Sequence, residues 1–215
     1  MDFAEARRHM VDGQLRPNRI TDPRLVDAML HLPRESYAPA AQASRAMADG
    51  DLPLGGGRVL MQPMMLARLL QLAAVRPGDR ALVVGSGSGY GAAVLATVGA
   101  QVVALEEDER LLALAAAAPR TRGVRQERGP LAAGWPAGAP YEVIVIEGAI
   151  PAVPAALSEQ LAEGGRLVTV LQDAVRPGAA VLGTRTGGAF ATADVFDCRT
   201  ALLPGFAPEP GFVFA

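Results

Sequence analysis

Residues 81–96, Ala-Leu-Val-Val-Gly-Ser-Gly-Ser-Gly-Tyr-Gly-Ala-Ala-Val-Leu-Ala, constrain the fold of this chain more than any other stretch. Residues 81–84 form a short apolar run of the kind found in a parallel strand covered on both faces. Gly85, Gly87 and Gly89 follow at alternate positions, with Ser86 and Ser88 between them. Glycine admits positive φ and lets a ligand approach the backbone without meeting a Cβ. Residues 90–98 then supply helix formers, beginning at Tyr90, so that backbone N–H groups at a helix start face the ligand. A second apolar strand, Gln-Val-Val-Ala-Leu-Glu at 101–106, ends in an acid. In a right-handed βαβ unit that strand end lies beside the first glycine turn, where a carboxylate accepts both hydroxyls of a ribose. Glu106 is therefore read as a ribose ligand. The plainer reading is that Glu106, Glu107, Asp108 and Glu109 open the next helix, where acids favour the N-terminal dipole. The two are compatible, because Glu106 ends the strand and the others occupy the first helical turn.

The 215 residues suit one α/β unit with a sizeable core, with residues 1–78 as an N-terminal helical and substrate-loop region packed on a core of residues 79–215. A formal net charge of −2 with Arg and acids evenly spread argues against a nucleic-acid or anionic-membrane surface. The single cysteine, Cys198, forms no internal disulfide, and Asp2 and Glu5 stand where a secretory signal needs a basic start and an apolar stretch. The expected location is the cytoplasm. Residues 81–105 are uncharged, but their glycines and their change of period from strand to helix exclude a membrane span. His9 and His31 have no partner at metal-ligand spacing, so no metal site is expected.

Along the chain, residues 2–14 and 22–31 read as two short helices, the second capped at Thr21 or Asp22 with Pro23 in its first turn. Pro33 and Pro39 break the chain, 40–47 reads as a further short helix, and 49–58, with Gly55, Gly56 and Gly57, reads as a loop. Pro63 opens a helix through Leu72. After a helix at 108–117 come strands at 124–128 and 141–147, a helix at 154–161, a turn at Gly164-Gly165 and a strand at 166–171. Segments 179–184 and 190–196, joined through Thr-Gly-Gly, read as an antiparallel hairpin, and 204–215 as a loop. The alternation of strand and helix predicts a doubly wound, mostly parallel sheet with an antiparallel edge.

Several segments in order resemble the protein L-isoaspartyl O-methyltransferase family: Gly-Gln-Leu-Arg at 13–16, Pro-Arg-Glu-Ser-Tyr-Ala-Pro at 33–39, Leu-Pro-Leu-Gly at 52–55, Gly-Ser-Gly-Ser-Gly-Tyr at 85–90, Ala-Pro-Tyr-Glu-Val-Ile at 139–144 and Gly-Gly-Arg-Leu at 164–167. The resemblance implies a Rossmann-like class I methyltransferase fold with a reversed C-terminal strand. It also implies transfer of a methyl group from S-adenosylmethionine to the carboxylate of an abnormal aspartyl residue in a peptide or protein, the starting step of repair, with S-adenosylhomocysteine as product. With the acid at 106, the positions aligned with the family's adenine-side loop and a candidate acid after the fourth strand, the expected cofactor set is Gly85, Ser86, Gly87, Ser88, Gly89, Tyr90, Glu106, Pro130, Leu131 and Glu147. Leu54, Gly55, Leu60 and Met64 fall on the substrate side. An ionised carboxylate needs little acid–base help, so in-line positioning should dominate.

Three positions depart from the family's pattern. A serine two residues before the loop proline is expected, and Met61 stands there before Gln62 and Pro63. Methionine offers an apolar surface and a weak acceptor in place of a hydroxyl. Pro130 stands where the family carries an acid that accepts the adenine amino group, and Val83 where many methyltransferases carry an acid on the strand before the loop. Glu147 is a candidate compensating carboxylate near the methionine end of the cofactor or the substrate; a solvated loop acid is the alternative. The methyl acceptor is then an abnormal aspartyl residue or an unidentified small acceptor, and two competing functions follow: a catalytically impaired homologue that binds cofactor or peptide without isoaspartyl transfer, and a nicotinamide dehydrogenase. The second lacks a hydride-partner His or Tyr-Lys pair and leaves the N-terminal resemblance unexplained.

Overall fold

A computed structural model describes residues 2–175 and 177–206. Its centre is a seven-stranded sheet formed by β3 (Arg80–Val84), β4 (Gln101–Glu106), β5 (Val124–Arg128), β6 (Tyr141–Ile150), β7 (Leu161–Leu171), β8 (Ala179–Thr186) and β9 (Ala189–Asp197). The spatial order is β5-β4-β3-β6-β7-β8-β9. The first five run parallel, and β8 and β9 are antiparallel to their neighbours. This is the doubly wound sheet with a reversed C-terminal strand that the sequence predicts. Successive residues of the central strands face opposite sides: Val83, Val143 and Val145 enter one apolar layer, and Leu82, Val84, Ile144 and Ile146 the other. Both layers exclude water, which is why these strands carry unbroken apolar runs.

Helix α1 (Phe3–Met10), α2 (Pro23–His31) and α3 (Pro63–Leu72) pack with α4 (Tyr90–Thr97) in the first layer. Asp2 caps α1 and Asp22 caps α2 through side-chain acceptors. Helix α4 is apolar all round, and Tyr90 to Leu95 are all buried. Helices α5 (Glu109–Ala117) and α6 (Ala155–Glu159) complete the crossovers. A separate two-stranded hairpin, β1 (Leu52–Gly55) and β2 (Arg58–Leu60), lies outside the main sheet.

The structure corrects several local expectations. The first helix stops at Met10 and passes into a π-helical turn at Val11–Leu15, where Val11 and Leu15 are both buried. The expected helix at 40–47 is a 3₁₀ segment, Ala40–Arg45. The expected loop at 49–58 holds the β1–β2 hairpin, because Leu52 and Leu60 pair across it and are buried while the glycines supply its turn. The helix expected at 154–161 is cut to Ala155–Glu159, since Leu161 pairs with Tyr141 and already belongs to β7. Gly164 and Gly165 sit within β7, in the irregular stretch between the Tyr141–Leu161 and Val143–Arg166 pairs, and are not a turn before it. Strand β6 runs on to Ile150. Of the loop expected at 204–215, residues 207–215 lie outside the described residues.

The path back from β9 is tightly fixed. The Cys198 N–H donates to the Gly178 carbonyl at 2.9 Å, and a Cβ on Gly178 would lie 2.1 Å from the Cys198 carbonyl oxygen. Gly178→Ala is expected to cost about 1–3 kcal/mol, because backbone must move to relieve the overlap. Denaturant unfolding of the two proteins checks this. The same path leads residues 201–203 along the end of β6, where the Ala149 N–H donates to the Ala201 carbonyl and the Leu203 N–H to the Ala149 carbonyl, at 2.9 and 2.8 Å.

Candidate cofactor and substrate site

Strand order reverses between β3 and β6: the chain leaves β3 towards β4 and β5, and leaves β6 towards β7, β8 and β9. In open α/β sheets ligands bind in the crevice beyond the carboxyl ends of the strands at such a point. The glycine turn closes β3 there and Glu147 lies near the end of β6. Gly85, Gly87 and Gly89 all have positive φ, at 69°, 57° and 87°, so the alternation of glycines answers a backbone requirement. The N–H groups of Gly85 and Ser86 donate to the Leu105 carbonyl at 3.0 and 3.1 Å, tying the loop to β4, and the Gly89 N–H donates to the Ser86 carbonyl at 2.8 Å. The hydroxyls of Ser86 and Ser88 are buried and meet no hydrogen-bond partner among the described residues.

Glu106, fully buried, is the hub of the site. It receives Arg58 Nη1 and Nη2, both at 2.8 Å, and the backbone N–H groups of Gly87, Glu107 and Asp108 at 2.8, 2.9 and 3.1 Å. Arg58 Nη2 also donates to the Gly85 carbonyl at 2.9 Å. The carboxylate read from sequence as a ribose ligand is thus beside the glycine turn, with its acceptor positions engaged by the chain itself. Two apolar side chains close over the same loop. A Cβ on Gly87 would meet Leu54 Cδ1 at 3.4 Å, and one on Gly85 would meet Leu203 Cδ1 at 3.1 Å.

Glu147 is buried on the first-layer side of the sheet, against Gly91 at the start of α4: a Cβ there would fall 1.7 Å from Glu147 Oε1. That oxygen meets no donor among the described residues. Burial pushes the carboxyl up to about 8, against the pull of Arg58 and Arg34 and with the help of Glu106. Arg34, also fully buried, donates from Nε to the Ala46 carbonyl at 2.7 Å and from Nη2 to the Met61 carbonyl at 2.5 Å. Its guanidinium carbon lies 4.7 Å from the centroid of the Tyr90 ring, which Tyr37 meets edge-on. Burial lowers the Arg34 pKa and pushes the Tyr90 phenol up to about 12.

The predicted residues therefore separate. Gly85, Ser86, Gly87, Ser88, Gly89, Glu106 and Glu147 converge on the switch point, with Leu54 above them. Tyr90 faces the interior and packs on Arg34. Met61 and Leu60 are buried, Met61 holding Arg34 through its carbonyl. Gly55 is at the exposed hairpin turn, nearest Arg110 of α5, and Met64 is half-buried on α3. Pro130 is exposed; Leu131 is buried beside it, its N–H 3.5 Å from Glu107 Oε2. Arg58, Arg34 and Leu203 were absent from the sequence reading of the site. The available signal was an arginine in the otherwise apolar run Arg-Val-Leu-Met at 58–61.

The residues present suit S-adenosylmethionine in kind: a glycine cradle at a helix start, an acid at the end of β4, and orphaned polar atoms on Ser86, Ser88 and Glu147. Among the described residues no helix is long and apolar enough to cross a membrane.

Comparison with known proteins agrees with this geometry. A family model described as protein-L-isoaspartate(D-aspartate) O-methyltransferase matches residues 5–198. A protein-L-isoaspartate O-methyltransferase of Methylorubrum populi is 46% identical over 165 residues, covering 76% of this chain and 78% of its own. Another, of Roseiflexus castenholzii, is 44% identical over 171 residues, covering 78% of each. Among solved structures, a protein-L-isoaspartate O-methyltransferase superposes with a TM-score of 0.80 at 24% identity, over 93% of this chain and 67% of that one. A Plasmodium falciparum protein of that description, in complex with S-adenosyl-L-homocysteine, superposes with a TM-score of 0.78 at 20% identity, over 93% of this chain and 98% of that one.

Proposed function

Because the chain belongs to the protein-L-isoaspartate(D-aspartate) O-methyltransferase family, we propose that it methylates the carboxylate of abnormal aspartyl residues in peptides or proteins, using S-adenosylmethionine. The observation that carries this reading is the family match over residues 5–198, with a positive-φ glycine turn at the switch point of the sheet. When bound, the cofactor supplies an electrophilic sulfonium methyl. Gly85 to Gly89 provide the backbone cradle, and Ser86 and Ser88 carry hydroxyls free to meet a polar ligand. The described residues from 79 on make up the cofactor-binding core, and those before 79 bring the hairpin and the Met61 segment to the acceptor side. We place the protein in the cytoplasm, in keeping with its single, buried cysteine.

Met61 stands at the position of the family's serine, so the acceptor carboxylate lacks one aimed hydroxyl. Glu147, whose carboxyl burial pushes up to about 8, lies against α4 on the side of the sheet where Met61 also packs. Transfer of labelled methyl from S-adenosylmethionine to an isoaspartyl peptide tests the function, and absence of transfer to that peptide counts against it. Met61→Ser is expected to raise the rate by about 10²-fold, the effect of one well-placed hydrogen bond at a reacting group. An unchanged rate would show that position 61 does not face the acceptor.

A further inference from the structure

The β1–β2 hairpin lays two side chains over the glycine turn, Leu54 on Gly87 and Arg58 on Gly85 and Glu106. A carboxylate offers about four lone-pair positions, and five N–H contacts already surround Glu106. The guanidinium supplies two of these five and a ribose diol would bring two hydroxyls of its own, so the diol joins the three backbone donors only by taking the guanidinium's place. We infer that Arg58 governs access of the cofactor's ribose to Glu106: it occupies the carboxylate as an internal ligand and is exchanged for the sugar when cofactor binds. The inference rests on the cofactor reading above.

Three further features suit such an exchange. The hairpin forms its own two-stranded sheet, so moving it breaks no hydrogen bond of the central sheet. Its turn residues Gly55, Gly56 and Gly57 are exposed and all have positive φ, so the tip has no side chains of its own and lies against the exposed Arg110 guanidinium of α5. Arg58 itself is 4% exposed, so its guanidinium is held by Glu106 and Gly85 and not by solvent. Charge-assisted bonds of this kind must be given up on binding, and the observed affinity is lowered accordingly.

The test is calorimetric titration of the full chain and of Arg58→Gln with S-adenosylhomocysteine. Glutamine is shorter and uncharged, and the variant is expected to bind about 10- to 100-fold more tightly than the parent, the range of one or two charged hydrogen bonds no longer broken. Equal or weaker binding by the variant overturns the inference while leaving the cofactor reading intact. Failure of both to bind overturns the inference and the cofactor reading together. Hydrogen exchange on the unaltered protein provides an independent measurement if Arg58→Gln does not fold. Adding S-adenosylhomocysteine should speed exchange across residues 52–60 while slowing it across 85–90; protection of both segments overturns the exchange.

Discussion

Glu106→Gln should lower the stability of the fold by about 3–5 kcal/mol, the usual cost of removing one partner from a buried charge pair. In a chain of this size that corresponds to a fall in Tm of roughly 6–20 °C. The reason is specific to the site. Glu106 accepts two bonds from Arg58 and one each from Gly87, Glu107 and Asp108, with no exposure to water. A glutamine offers a single acceptor oxygen and turns an NH₂ group towards donors that need an acceptor. The Arg58 charge then remains buried without its counter-ion, and the glycine turn loses its tie to β4 through Gly87. The companion double variant Arg58→Leu, Glu106→Gln should recover part of the loss, because no cation is then left buried without its counter-ion, while the Gly87, Glu107 and Asp108 N–H groups still share a single acceptor oxygen. Thermal unfolding of the single and double variants forms a cycle that isolates the coupling. Additive effects would show that the two side chains do not meet in solution.

The second large effect is a dependence of stability on pH that runs through Glu147. Its folded pKa, about 8, lies above its ordinary value of 4.5, so the native state holds the proton more tightly than the unfolded chain between those values. The stabilising contribution is complete below about pH 4.5 and is lost as pH rises towards 8, by about 1.4 kcal/mol per pH unit at most. The facing charges are Arg58, Arg34 and Glu106; the two cations oppose the shift, and burial outweighs them. Glu147→Gln removes the titration while keeping the volume. The variant should therefore gain on the parent steadily from pH 5 to pH 8 and be the more stable protein at the upper end. Denaturant unfolding at several pH values reads this difference directly. A difference that stays constant would mean that Glu147 is ionised throughout and that its surroundings are wetter than the structure shows.

Where the sequence reading succeeded, local chemistry was enough. Residues 81–84 and 141–146 have no polar residue on either face apart from Glu142, so only a strand covered on both sides suits them. The glycines at 85, 87 and 89 take up positive φ as their spacing suggests. The pair Gly187-Gly188 turns the β8–β9 hairpin for the same reason. Where it fell short, the deciding contact was distant in sequence. Residues 49–58 look like a loop by composition, yet Leu52 and Leu60 are drawn into the core and fix a hairpin. Leu161 looks like the end of a helix until its pairing with Tyr141 claims it for the sheet. Gly164 and Gly165 resemble a turn, and the sheet accommodates them as an irregularity within β7.

The site divides along the same line. The sequence by itself determined the strand–glycine–helix unit and the acid at the end of the next strand, because hydrophobic period, positive φ and strand length are properties of neighbouring residues. It also placed Glu147 after an apolar run, without saying which way its carboxyl turns. Only the tertiary structure decided that Glu106 is engaged by Arg58, that Leu203 returns to cover Gly85, and that Glu147 is buried against Gly91. These contacts join segments far apart in the chain, and they exist because the strand order brings the ends of β3, β4 and β6 together beneath one hairpin and one returning segment. No local preference of an arginine or a leucine encodes that meeting; burial and the pairing of charge do so only once the sheet is assembled.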